Sequence, residues 1–199
     1  MLLDEEGHVT GTAPKLASHH RETPLHLAFT AYAFSPGGEL LLTRRSAAKK
    51  TWPGVWTNTV CGHPRPREPL MEAVRRRVDA ELGAELVRAE VVLGKVRYRA
   101  VMPDGTVENE MGPVIRLLLD GPVAPDPEET DMVRWTPWET VVAQVLAGEA
   151  GLSPWSEVTI ARLAALGSDP WAWPTVDPST SIPALQHLCG PDQLGRVAG

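Results

Sequence analysis

Between residues 70 and 83 the apolar pattern becomes that of a helix. Leu70, Val74, Val78 and Leu82 recur every fourth residue, and Gly83 follows at once. On a strand, Glu72 and Arg76 would share the face of these aliphatics; on a helix they turn away from it, so an amphipathic helix with a glycine stop is predicted. A helix with one apolar stripe must cover something. The flanking stretches read as strands, which excludes an all-helical or an all-β chain.

Residues 25–34, LHLAFTAYAF, form an apolar run holding one histidine; SPGG then marks a turn before ELLLTRR, which predicts a buried hairpin. WPGVWTNTV, ending at Val60, reads as a further short strand or an ordered loop, broken by Pro64 and Pro66. After the helix, VRAEVVLGKVRYRA and ENEMGPVIRLLLD flank MPDGTV as a second hairpin. The loop GPVAPDPEE precedes a short strand near Val133 to Trp135 and a helix with Pro137 at its start, running toward Leu146. Another helix is expected from Ser153 to about Leu166. From Gly167 the chain is dense in proline, with Trp171 and Trp173 as anchors. The expected organisation is an α+β domain over 1–166, a mixed sheet with helices packed on it. Residues 167–199 would be an extension packed on that domain or trailing from it.

Composition narrows the classes of function. A chain of 199 residues, 43% hydrophobic and 22% charged, suits one globular domain. No apolar run reaches the roughly 18 to 20 residues that a membrane span needs, and the N-terminus carries acids where a signal peptide carries positive charge. Cys61 and Cys189 are the two cysteines, too few for a disulfide scaffold. A cytoplasmic protein is expected. The net charge of -6 gives no global attraction to nucleic acid or an anionic membrane, so an anion must be bound locally. The basic clusters at Arg44, Arg45, Lys49 and Lys50, and at Arg75, Arg76 and Arg77, are either solvated surface or such a local site. A small-molecule substrate and a monomer or weak homodimer are expected.

Six histidines are few enough for their positions to matter. His26 lies inside an apolar strand, His19 seven positions before it, and His63 in TVCGHP. Glu108 and Glu110 are two apart in ENE, so on a strand both project from one face, where a cation or basic partner would relieve their repulsion. Each feature has an ordinary alternative: a hydrogen-bonded core histidine, or a solvated strand face. Together, three imidazoles and two carboxylates suit a five- or six-coordinate divalent ion such as Mn²⁺, Mg²⁺ or Zn²⁺.

TPLHLAF, LLTRR, KKTWPGVWTNTVCGHP, RYRA, DGTVENE and SPW, in this order, resemble type I isopentenyl diphosphate isomerases of the Nudix superfamily, over about residues 2–166. The resemblance implies interconversion of isopentenyl diphosphate and dimethylallyl diphosphate through a tertiary carbocation. It implies His19, His26, His63, Glu108 and Glu110 as metal ligands, Cys61 and Glu110 as the proton-transfer pair, and Tyr98 beside the glutamate. Trp155 would lie over the reacting carbons. Lys15, Arg45, Lys49 and Arg77 would bind the diphosphate, and Glu81 would hold a second Mg²⁺ on it. A Nudix box is matched at Gly62, Glu68, Arg76, Val78, Glu81 and Gly83, but Arg77 and Ala80 stand where it carries glutamates. A diphosphate hydrolase, which needs several carboxylates on that helix, is therefore the secondary reading. A catalytically silent metal-binding module and an enzyme for a larger prenyl chain are further alternatives.

Overall fold

The computed structural model describes residues 1–14 and 20–189. Lys15 and His19 lie outside the described residues. In chain order the strands are β1 (Leu2–Leu3), β2 (Val9–Gly11), β3 (His26–Leu27), β4 (Phe29–Ala33), β5 (Glu39–Arg45), β6 (Trp56–Thr57) and β7 (Val60–Gly62). Helix α1 (Leu70–Leu82) follows, then β8 (Glu85–Val101), β9 (Val107–Asp120) and β10 (Thr130–Pro137), and finally α2 (Trp138–Leu146) and α3 (Pro154–Ala164). No helix among the described residues is long and apolar enough to cross a membrane.

Helix α1 ends as its sequence implies: Gly83 takes the left-handed conformation, φ 55°, and its N–H donates to the Asp79 carbonyl at 2.9 Å. The stripe of Leu70, Val74, Val78 and Leu82 is fully buried against Phe29, Ala31, Val60, Ile115 and Leu117 of the sheet. Each such side chain contributes about 1.5–3 kcal/mol by leaving water. Strand β4 is buried on both faces. Its Phe29, Ala31 and Ala33 meet α1, while Tyr32 and the following Phe34 meet the other side with Trp138, Ile160 and Leu163 of α2 and α3. The core is thus a mixed sheet between helices, an α+β fold.

The long β8–β9 hairpin forms as expected, with Tyr98 opposite Glu110 and Ala100 opposite Glu108. The predicted pairing of β4 with β5 does not continue beyond one bridge, Phe34 to Leu40. Both edges of β4 are already taken, by β9 in parallel and by β7 antiparallel. Strand β5 turns away into a second, three-stranded sheet between β10 and β6. This divergence opens a space between the two sheets, and the site lies there.

Glu72 and Arg76 stand four apart on α1 but do not pair with each other. Glu72 pairs with Arg75, and Arg76 is held by Glu68 through two bonds, Nε to Oε1 at 2.7 Å and a terminal nitrogen to Oε2 at 2.8 Å. Arg77 and Glu81 do pair, but not on a solvent face: each side chain is only 12% exposed. Beyond α3 the chain continues as short 3₁₀ turns, Pro170–Ala172, Pro178–Thr180 and Pro183–Leu185. Trp173 is buried edge-on to Phe34 and Trp138, with its indole N–H on the Gly167 carbonyl at 2.9 Å. Buried Arg116 donates to the Pro170 carbonyl and Glu90, with its guanidinium over the Trp171 ring. Ile182, Leu185 and Leu188 cover Leu3, Leu27 and Met111.

Candidate active site

The short strand β3 pairs in parallel with β9 so that His26 is level with Glu110, and the β8–β9 hairpin sets Tyr98 level with Glu110 from the other side. Register therefore lines up an imidazole, a carboxylate and a phenol in one row across three strands. Just past β7, His63 brings Nε2 to 2.9 Å from Glu110 Oε1, and His26 Nε2 is 3.4 Å from the same oxygen. Tyr98 donates its hydroxyl to Glu110 Oε2. His26 Nδ1 donates to the Pro24 carbonyl at 2.9 Å, which turns Nε2 toward the carboxylate.

Burial opposes ionisation of Glu110, but the charges and hydrogen bonds of His63 and His26 outweigh it and hold the carboxyl well below the usual range. Burial also opposes protonation of His26, yet its bond to Glu110 raises it. The Tyr98 phenol is pushed well above its ordinary value by burial and then by the Glu110 charge, so it remains a donor.

Ligand atoms of His26, His63 and Glu110 lie within 4.8 Å of one another. Two imidazoles and a buried carboxylate in that compass fit a divalent metal ion. Glu108, buried on the same face of β9, lines the same cavity but is not one of this tight trio.

That cavity measures about 590 Å³, and its lining is of two chemical kinds. One group is Cys61, Glu110, Tyr98 and Trp155. The Trp155 ring lies 6.1 Å from that of Tyr98, at an interplanar angle of 27°. Burial and then the neighbouring Glu110 charge push the Cys61 thiol up to about 12, so it carries its proton at neutral pH. The other group is charged: Arg45, Lys49 and Arg77 with Glu81 and Glu129. Arg45 donates to the Thr51 carbonyl, Nε at 3.0 Å and a terminal nitrogen at 2.7 Å, and lies over Trp155 with its guanidinium carbon 5.6 Å from the ring centre. Glu129 binds Lys49 and also approaches Arg77, 3.3 Å away, while Arg77 bonds Glu81. A side chain at Gly62 would strike the Arg77 stem, since a Cβ there would be 2.8 Å from Arg77 Cγ. Glycine at that position lets α1 deliver Arg77 into the cavity.

Reasoning from sequence did not single out Asn58, Trp52 or Glu129. Trp52 packs edge-on against Trp155 with ring centres 5.2 Å apart. Asn58 was visible inside WTNTVC as its one amide, and it lies in the short link between β6 and β7. Glu129 sits in an aperiodic loop that offered no signal.

A family profile described as NUDIX domain matches residues 24–157. The crystal structure of DR0079 from Deinococcus radiodurans superposes with a TM-score of 0.61 at 23% identity, covering 81% of this chain and 96% of that one. The MutT NUDIX hydrolase from Burkholderia pseudomallei gives 0.52 at 18% identity, over 70% and 98%. At such identities the likeness is one of fold, and fold and site together define a NUDIX-domain protein. Among curated relatives, the isopentenyl-diphosphate Delta-isomerase of Saccharopolyspora erythraea is 47% identical over 179 residues, 90% of this chain and 92% of that protein. The one from Mycolicibacterium vanbaalenii is 48% identical over 167 residues, 84% and 92%. The chain belongs to the isopentenyl-diphosphate Delta-isomerase family of NUDIX-domain proteins.

Proposed function

We propose that this protein interconverts isopentenyl diphosphate and dimethylallyl diphosphate, with Cys61 and Glu110 as its proton-transfer groups. One observation carries the reading: a thiol, a carboxylate and an indole line the same cavity as guanidinium and ammonium groups. A five-carbon diphosphate joins an olefin to an anionic group and calls for both kinds of lining.

Protonation of an unactivated alkene produces a tertiary cation, so the site must exclude water and offer a proton donor and an acceptor to different carbons. Cys61 holds a proton at Sγ, and Glu110, kept ionised by its histidines, offers an acceptor oxygen; in the reverse direction their roles exchange. Tyr98 orients the carboxylate and supplies a hydrogen bond to Oε2. The Trp155 face stabilises positive charge by about 0.5–2 kcal/mol without a lone pair that would trap the cation. Arg45, Lys49 and Arg77 grip the diphosphate, and Lys15 belongs with them by resemblance.

His26, His63 and Glu110 would hold Mn²⁺ or Mg²⁺, and the donor set also suits Zn²⁺; Glu108 and His19 would complete it. When bound, the ion supplies positive charge that fixes the Glu110 carboxylate. A Mg²⁺ carried in with the diphosphate would meet Glu81. We place the protein in the cytoplasm as a monomer or weak homodimer, with residues 167–199 as an extension of the domain over 1–166.

Diphosphate hydrolysis is not favoured. Of the α1 carboxylates Glu72, Asp79 and Glu81 only Glu81 lines the cavity, and Glu68, just before the helix, is bound to Arg76. Incubation with isopentenyl diphosphate and Mg²⁺ should yield an acid-labile allylic product, and in D₂O that product should gain deuterium. Rapid phosphate release from nucleoside diphosphate derivatives without any allylic product would overturn the assignment. Turnover confined to longer prenyl diphosphates would replace the substrate.

A further inference from the structure

We propose that Asn58 is a positioning residue whose buried carboxamide locks the Cys61 thiol and the Trp155 indole into one unit. The proposal rests on the isomerase reading above and names the device that holds two of its groups.

Asn58 is 1% exposed. Its Nδ2 donates to the carbonyls of Ala31 at 3.1 Å and Val60 at 2.8 Å, groups that only accept. Its Oδ1 accepts from Trp155 Nε1 at 3.0 Å, a group that only donates. These partners leave the amide a single orientation; its two ends cannot be exchanged. In that orientation one edge of the amide faces sulfur, with Cys61 Sγ 3.2 Å from Nδ2 and 3.3 Å from Oδ1. A thiol can give its hydrogen to Oδ1, while Nδ2, whose two hydrogens reach the Ala31 and Val60 carbonyls, keeps the amide in place. An aliphatic side chain offers neither bond, and a carboxylate offers only the acceptor.

The second half of the device is the first turn of α3. Ser156 Oγ accepts the Asn58 backbone N–H at 2.9 Å and lies 3.1 Å from Oδ1, and Ser153 Oγ is 2.7 Å from Thr57 Oγ1. Both serines are fully buried and flank Trp155. The turn that carries the indole is thereby fastened to the segment that carries the thiol. Geometry of this kind matters because a displacement of about 1 Å of a reacting group costs on the order of 10²-fold in rate.

The test uses the whole chain and four variants. Asn58→Leu should lower kcat about 100-fold while KM, and the Kd for inorganic pyrophosphate with Mg²⁺, stay within about threefold. Asn58→Asp, which keeps the acceptor and loses the donors, should also be impaired. A readout independent of turnover is the Trp155 indole N–H resonance, identified by its absence in Trp155→Phe. Its hydrogen exchange should accelerate at least about tenfold in Asn58→Leu, the other indoles being unaffected. If Asn58→Leu does not fold, Ser156→Ala keeps the Asn58 carboxamide, removes the Ser156 Oγ bonds to Asn58, Thr57 and Ser153, and should lower kcat about tenfold at constant KM. Unchanged kcat in the folded variants would overturn the proposal, as would a parallel loss of pyrophosphate affinity or an unaltered Trp155 exchange rate. Should the parent chain fail to convert isopentenyl diphosphate, the functional reading falls, while the exchange measurement still decides whether Asn58 holds Trp155.

Discussion

Replacing Tyr98 with phenylalanine deletes one oxygen from the site and keeps the ring that lies beside Trp155. The lost atom is the donor to Glu110 Oε2. Glu110 is 4% exposed, and its other oxygen is occupied by His63 at 2.9 Å and His26 at 3.4 Å, so water is poorly placed to substitute. A hydrogen bond to a charged group contributes about 1.5–3 kcal/mol, and each 1.36 kcal/mol is a factor of ten. The expected fall in kcat is therefore about 10- to 150-fold. KM should stay within about twofold, because the deleted hydroxyl bonds Glu110 and not the cations Arg45, Lys49 and Arg77. Because burial and the Glu110 charge raise the Tyr98 phenol, it remains protonated, and the ratio of parent to variant should be flat from about pH 6 to 9. Steady-state conversion of isopentenyl diphosphate measures all three quantities. A kcat within twofold of the parent, or a loss residing wholly in KM, would refute the reasoning.

Chelation with EDTA should abolish conversion and lower Tm, and Mn²⁺ or Mg²⁺ should restore both; failure of every divalent ion to do so would remove the metal centre from the scheme. Glu68→Gln breaks the paired bonds to Arg76 and should lower Tm by about 2–8 °C at pH 7, for a loss of about 1–2 kcal/mol. The Arg76 bond holds the Glu68 carboxyl below its ordinary 4.5, so its contribution is complete above that value and is lost as the pH falls through the depressed folded value. In thermal melts the parent and the variant should accordingly converge in acid. Trp173→Ala should cost about 3–5 kcal/mol, since the indole is buried between Phe34 and Trp138; a denaturation midpoint equal to the parent's would show that the proline-rich segment contributes nothing to the core.

The stretches that sequence determined are those whose cause is local. The helix over 70–82 follows from aliphatic spacing and a terminal glycine, and the β8–β9 hairpin from two strand-like runs around DGT. The shared face of Glu108 and Glu110 follows from strand geometry alone. Membership of the family was likewise legible, because WTNTVCGHP and ENE are short, contiguous strings. Tertiary structure decided what depends on edges and register between distant segments. Residues 25–45 read as one hairpin, yet β9 and β7 occupy both edges of β4 and send β5 into another sheet. His26, Glu110 and Tyr98 come from three strands, and only the alignment of those strands puts them in a row. The pairing of Arg77 with Glu81 was visible as a spacing, but its direction into the cavity depends on how α1 lies over Gly62. Asn58 bonds partners up to 98 positions away, and no periodicity in a chain encodes a contact of that range.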